Sequence, residues 1–128
     1  MAERQERVSR AFAALNEGDV EPFRVLLDAD AEWVAIPQGD PVADTPRCTG
    51  RGAIVNRLKR VHKNGRRFSL GKVIETDDRL AAEVTVESPE WSAPVTVYRV
   101  FTFRPGTDVA VRLNDCIDES YALQVLVA

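Results

Sequence analysis

Apolar residues recur every three or four positions along the first half of the chain and every second position along the second half. Val8, Ala11, Phe12 and Leu15 fall at i, i+3, i+4 and i+7, which predicts a helix over Glu3–Asn16 with one apolar stripe. Gly18 is placed to end it, and Asp19 to cap a short second helix whose face is Val20, Phe23, Leu26 and Leu27. Asp28 to Asp30 interrupt that helix, and Glu32–Ile36 reads as a short strand. Pro37, Gly39, Pro41 and Pro46 mark 37–47 as a loop. A third helix is predicted from Thr49 or Gly50 to about Lys63, with Ile54, Leu58 and Val61 on one face and Gly65 as its stop.

From Phe68 the period becomes two. Four strands are predicted, Phe68–Glu75, Leu80–Glu87, Val95–Phe103 and Val109–Ile117, with turns at Asp77-Asp78 and Pro105-Gly106. The apolar run Tyr121–Val127 either extends the sheet edge or packs across its open mouth. A meander needs its apolar face covered, and the three amphipathic helices supply the cover. The class is therefore α+β in two layers rather than a parallel βαβ fold.

Composition narrows the function classes. At 128 residues the chain fits one domain, 1–128, and its 45% hydrophobic and 29% charged residues are an ordinary globular balance. A net charge of −3 argues against nucleic acid and acidic membrane partners. No apolar run reaches the roughly 20 residues of a membrane helix, and Met1–Arg10 lacks the apolar core of a secretory signal, so the cytoplasm is expected. Cys48 and Cys116 form no Cys-x-x-Cys pattern and His62 is the single histidine, so no metal or other cofactor is expected.

The segment 8–33, with Ala14-Leu15-Asn16-Glu17-Gly18-Asp19 at its centre, resembles the opening of ketosteroid isomerases and SnoaL-like polyketide cyclases. Gly50 to Ile54 and the closing strands from Tyr98 to Asp118 are similar to the same nuclear transport factor two-like superfamily. The resemblance spans nearly the whole chain. It implies a cone-shaped, strongly bent antiparallel sheet covered by three helices, an apolar small-molecule pocket, and a homodimer through the outer sheet face. It does not carry the isomerase chemistry. Where those enzymes keep a tyrosine oxyanion donor, a general base and a protonated aspartate, this chain has Ala11, Ile36 and Arg99. An enolate intermediate needs a base and a proton-donating oxyanion hole, which these three side chains do not supply.

The penultimate strand places Val95, Val97, Arg99, Phe101 and Phe103 on one face, and the last strand Val109, Val111, Leu113, Asp115 and Ile117. A hairpin pairing Phe103 with Val109 sets Val97 opposite Asp115 and makes Arg99 and Asp115 diagonal neighbours. Shifting the last strand by one residue would put Asn114 inward instead. Asp115 resembles the last-strand acid of limonene epoxide hydrolases and SnoaL-like cyclases, although the second aspartate of the hydrolases is replaced by Phe101. Arg99 and Asp115 are the catalytic candidates; the competing reading is a buried ion pair that only fixes register.

Phe12, Trp33, Leu58, Val97, Phe101 and Leu113 are the expected pocket lining. Trp91 and Phe23 either join them or serve the core. Glu32 is expected near the mouth, exposed at a strand start. His62 reads as a surface or helix-capping residue. Cys116 has no basic setting suited to a nucleophile. Arg51, Arg57, Lys59, Arg60, Lys63, Arg66 and Arg67 run without an intervening acid, as an anion site or a solvated helix face. Three functions follow: an enzyme acting on a hydrophobic carbon skeleton through Asp115 and Arg99, a non-catalytic ligand-binding or dimerisation module, or an assembly domain with a filled pocket.

Overall fold

Ten elements follow one another in the computed structural model, which describes residues 2–35, 47–116 and 118–127. They are α1 (Ala2–Asn16), α2 (Glu21–Leu26), β1 (Leu27–Ala35), β2 (Arg47–Thr49), α3 (Arg51–Lys63), β3 (Arg67–Glu75), β4 (Arg79–Glu87), β5 (Val95–Phe103), β6 (Ala110–Cys116) and α4 (Glu119–Val127). The six strands form one curved, unclosed sheet in the order β2-β1-β6-β5-β4-β3. β3 to β6 are the antiparallel meander, and the β1–β6 junction is parallel. Of the expected loop over 37–47, residues 37–46 lie outside the described residues, as do the strand ends at Ile36 and Ile117, while Arg47 opens β2 instead.

The apolar stripes do what their spacing predicts. Val8, Ala11, Phe12 and Leu15 of α1, Phe23 and Leu26 of α2, and Ile54 and Leu58 of α3 are buried against the inward residues of β4, β5 and β6. Val61 packs at the edge of this core. The rings of Phe12 and Phe23 meet edge-on at 5.0 Å, and Phe101 stacks beside Phe103 at 6.4 Å. Asn16 ties the end of α1 to the sheet with both halves of its amide. Its Nδ2 donates to Phe68 O at 2.8 Å, and its Oδ1 accepts from Phe68 N at 2.9 Å. Gly18 turns the chain toward α2 at φ +87°, where a Cβ would also stand 3.0 Å from His62 Nε2.

Three sequence expectations are corrected. Asp28–Asp30 do not separate α2 from the sheet, because β1 starts at Leu27. The acids sit where the β1–β6 register is irregular, and Asp28 Oδ2 accepts from Asp30 N at 3.0 Å while Asp28 also pairs with Arg104. A short strand β2, hidden beside the proline-rich segment, pairs with β1 through Cys48 opposite Trp33. The run Tyr121–Val127 is neither strand nor plug but most of helix α4, whose first turn Asp118 Oδ1 caps at Tyr121 N, 2.8 Å.

α4 lies on the outer face of the sheet, against β4, β5 and β6. Ala122 and Leu126, four apart, pack there with Ala81, Val100 and Cys116 in a second apolar cluster. Leu123 and Val127, which point away, are 39% and 78% exposed. Apolar residues on both sides of a short helix erase its stripe, so the period could not separate helix from strand. The helix adds a third layer to the two that were expected.

α1 is also held at its start. Arg4 is buried and donates Nε and Nη2 to Thr107 O at 3.1 and 2.6 Å, and Nη1 to Asp77 O at 2.5 Å. Its guanidinium covers the Phe103 ring at 4.5 Å. It thereby joins the helix to the β3–β4 and β5–β6 turns.

Candidate functional site

Arg99 on β5 and Asp115 on β6 face each other directly across the strand pair. The expected register was diagonal. Phe103 pairs with Ala110 rather than Val109, and a bulge then sets Thr102 opposite Arg112. Each departure moves the register by one residue. Together they make one full pleat period, so Asp115 keeps its inward face while its partner changes from Val97 to Arg99. The same shift turns Ala110 into the main core in place of Val109 and Val111. Asn114 pairs with Val100, whose side chain belongs to the outer cluster.

The pair is closely held. Arg99 Nε donates to Asp115 Oδ1 at 2.6 Å and Nη2 to Oδ2 at 3.3 Å. Trp33, on the neighbouring β1, donates Nε1 to Oδ2 at 2.9 Å. Three N–H donors on one half-buried carboxylate make the burial of the Arg99 charge beside it tolerable. A carboxylate offers about four lone-pair directions, so one more donor still fits. The Arg99 guanidinium lies 4.7 Å from the Trp33 ring and 5.7 Å from the Phe12 ring. Its Nη1 is buried with no hydrogen-bond partner among the described residues.

These groups wall a cavity of about 160 Å³. Trp33, Val97, Arg99 and Asp115 line it, together with Phe68, Val86, Trp91, Arg57, Val61 and Arg66. Of the expected lining, Trp33 and Val97 are at the wall. Phe12, Leu58, Phe101 and Leu113 stand in the packed core and are not among the lining residues. Arg57 covers the Trp33 ring at 4.4 Å, with its Nη1 3.9 Å from Cys48 Sγ, and Arg66 covers the Trp91 ring at 4.9 Å. The basic run therefore divides. Arg57 and Arg66 reach the cavity, while Lys59, Arg60, Lys63 and Arg67 are exposed. Phe68 and Val86, missed from sequence, pair across β3 and β4. Their signal was cross-strand adjacency, which the period alone does not reveal.

The remaining candidates fall elsewhere. His62 is half-buried in the last turn of α3 beside Gly18 and does not line the cavity. Glu32 is half-buried rather than exposed and lies 3.7 Å from Arg112. Cys116 is buried in the outer cluster, and its thiol is pushed up to about 11, first by burial and then by the charges of Asp115 and Asp118. A thiol held neutral in this way is no nucleophile near neutrality. At the positions of the isomerase residues, Ala11 is fully buried and Arg99 is ion-paired, while Ile36 lies outside the described residues.

A SnoaL-like domain model matches residues 8–111, most of the chain. The chain belongs to the SnoaL-like family. No curated protein matches it. Solved structures share the fold of this SnoaL-like chain at low identity. TerC, co-crystallised with polyporic acid, is 22% identical over 97% of both chains with a TM-score of 0.71. An NTF2-like protein of unknown function from Burkholderia pseudomallei is 19% identical over 100% of both chains with a TM-score of 0.73. SalBIII, an epoxide hydrolase/cyclase-like enzyme of pyran ring formation in the polyether salinomycin, is 18% identical over 93% of both chains with a TM-score of 0.71. At such identities the likeness concerns the fold, and the chemistry has to be argued from the site.

Proposed function

We propose that this SnoaL-like domain binds a small hydrophobic compound in the Arg99–Asp115 cavity and performs acid/base chemistry on it, of the cyclase, isomerase or hydrolase type. The observation that carries the reading is a half-buried carboxylate, held by Arg99 and Trp33, at the wall of a cavity of about 160 Å³. For scale, an engineered apolar cavity of about 150 Å³ takes up benzene. One ring of a larger skeleton would fit, with the remainder outside.

Asp115 is the group that exchanges a proton with the substrate, through the lone-pair direction its three donors leave open. Arg99 stays protonated throughout and serves by charge. Its Nε and Nη2 orient the carboxylate. Trp33 fixes the carboxylate from the second side and forms one wall. SalBIII, on the same fold, gives the cyclase or hydrolase direction its support.

The test is turnover. Purified protein is incubated with polyketide and terpenoid epoxides and with β,γ-unsaturated ketones, and products are followed by mass spectrometry and NMR. Conversion is expected for one class and is expected to vanish in Asp115→Asn, which keeps shape and removes the base. A second reading, a binding module without chemistry, is favoured by the absence of the isomerase groups at Ala11 and Arg99. It predicts saturable binding that Asp115→Asn preserves, with the compound recovered unchanged.

A further inference from the structure

Trp33 reaches Asp115 through a single bond, Nε1–H to Oδ2 at 2.9 Å. That bond exists only at one setting of the indole ring. The terminal torsion of a tryptophan is broad, so the setting is imposed by whatever packs on the ring. Strand register places the residue but not the ring. Trp33 lies beside Leu113 of β6 and Cys48 of β2, which fixes its Cα and no more. Two guanidiniums stand over the ring itself, Arg99 of β5 at 4.7 Å and Arg57 of α3 at 4.4 Å.

The two cations serve the ring differently. Arg99 gives Nε and Nη2 to the same carboxylate that Trp33 bonds, so it is part of the arrangement being held. Arg57 comes from another layer. It is half-buried in the middle of α3, with Nη1 3.9 Å from Cys48 Sγ. Ile54, Val55 and Leu58 bury that helix in the main core. Arg57 thus carries the rigidity of the helix layer to the indole. A cation over an indole face draws ring density toward itself, which leaves the N–H more positive and a stronger donor. Only the flat face of the guanidinium is needed for this. Its N–H edges stay with other partners, which Arg57 does not lack.

We propose that Arg57 is a positioning residue for Asp115: through the Trp33 ring it fixes the indole N–H on Oδ2 and so aims the carboxylate at the cavity. The inference rests on the acid/base reading of Asp115 and deepens it. The terminal torsion of an aspartate is also broad, so a carboxylate keeps one orientation only when both oxygens are held. Arg99 holds Oδ1 closely, at 2.6 Å, and Oδ2 at 3.3 Å. The oxygen with the longer arginine contact is the one that Trp33 reinforces. The orientation of Asp115 therefore depends on the setting of the indole, and the setting of the indole on Arg57.

The chain has two tryptophans, so two indole N–H signals can be followed by NMR in the ligand-free protein. In Arg57→Met, which keeps a long side chain without the charge, the Trp33 indole N–H is expected to exchange about tenfold faster and its signal to move upfield, as a weakened hydrogen bond requires. Arg57→Lys returns a cation to the ring and is expected to recover most of both. The Trp91 indole, under Arg66 at 4.9 Å, is the internal reference and should hold still. On a substrate found in the turnover screen, Arg57→Met is expected to lower kcat about tenfold with KM little changed. An unchanged Trp33 signal in Arg57→Met overturns the inference and leaves the acid/base reading standing. Equal quickening at both indoles also overturns it, since a packing role alone would loosen the whole wall. If Asp115→Asn keeps full turnover, the acid/base reading falls, and the positioning of Asp115 falls with it even where the indole signals move as expected.

Discussion

Arg4 and Arg99 are the two buried cations among the described residues, at 7% and 4% exposure, and both meet inward aromatic rings. Arg4 lies on Phe103, and Arg99 stands four residues earlier on the same strand. The resemblance ends there. Arg4 gives Nε, Nη1 and Nη2 to backbone carbonyls of two turns, with Asp108 3.7 Å away at the surface. Arg99 gives two nitrogens to a carboxylate and keeps the third without a partner beside a cavity. One side chain is used up in joining elements, and the other has capacity to spare. Spare hydrogen-bonding capacity at a buried charge, more than burial itself, distinguishes a binding position from a structural one.

Breaking the ion pair should cost most. Arg99→Met leaves Asp115 with Trp33 as its remaining side-chain donor among the described residues, and a loss of about 3 kcal/mol is expected in urea unfolding. The double variant Arg99→Met/Asp115→Leu removes both charges and is expected to regain most of that stability while binding no ligand. Poor stability of the double variant would place the pair among the structural devices, with Arg4.

Arg4→Met comes next. Carbonyls at Asp77 and Thr107 lose their donors, and the cost is expected to be about 2 kcal/mol. The Trp33 indole signal at the distant cavity should not move. A changed signal would show that the two arginines are coupled and would end the contrast drawn above.

Asn16→Ala removes the two bonds to Phe68, a cavity-lining residue, and should cost about 1–2 kcal/mol. Amide exchange at Phe68 is the direct readout, and it should quicken. The smallest effect at neutral pH belongs to Cys116. With its thiol held to about 11 and Cys48 only half-buried, a disulfide reagent should titrate Cys48 first and Cys116 only on unfolding. The native thiol keeps its proton above the value of 9.0 at which an unfolded one ionises. Ionisation therefore favours the unfolded chain, and stability is expected to fall between about pH 9 and 11. A midpoint that does not drop across this window, relative to Cys116→Ala, would contradict the assignment.

Much of this was legible in the residues. The stripe of α1 and the alternation of β5 place Phe12, Phe101 and Phe103 inward, and they are inward. The two-residue period also kept Asp115 on its face although the pairing was displaced by a full pleat. Helix α4 was not legible, because Leu123 and Val127 are apolar without being buried. Arg4 was not legible either, since nothing local marks an arginine whose acceptors lie 73 and 103 residues away.

By itself the sequence determined the class of fold, the inward face of each long strand and the presence of one acid and one base among apolar neighbours. Those follow from periodicity, which is a local property of the chain. The tertiary structure decided the rest. The bulge in β6 set Asp115 opposite Arg99, the parallel pairing of β1 brought Trp33 to the same carboxylate, and α3 with its following turn delivered Arg57 and Arg66 to the cavity. Register and helix placement are settled by contacts between residues far apart in the chain, and no local pattern encodes which of several such closures fills the core best.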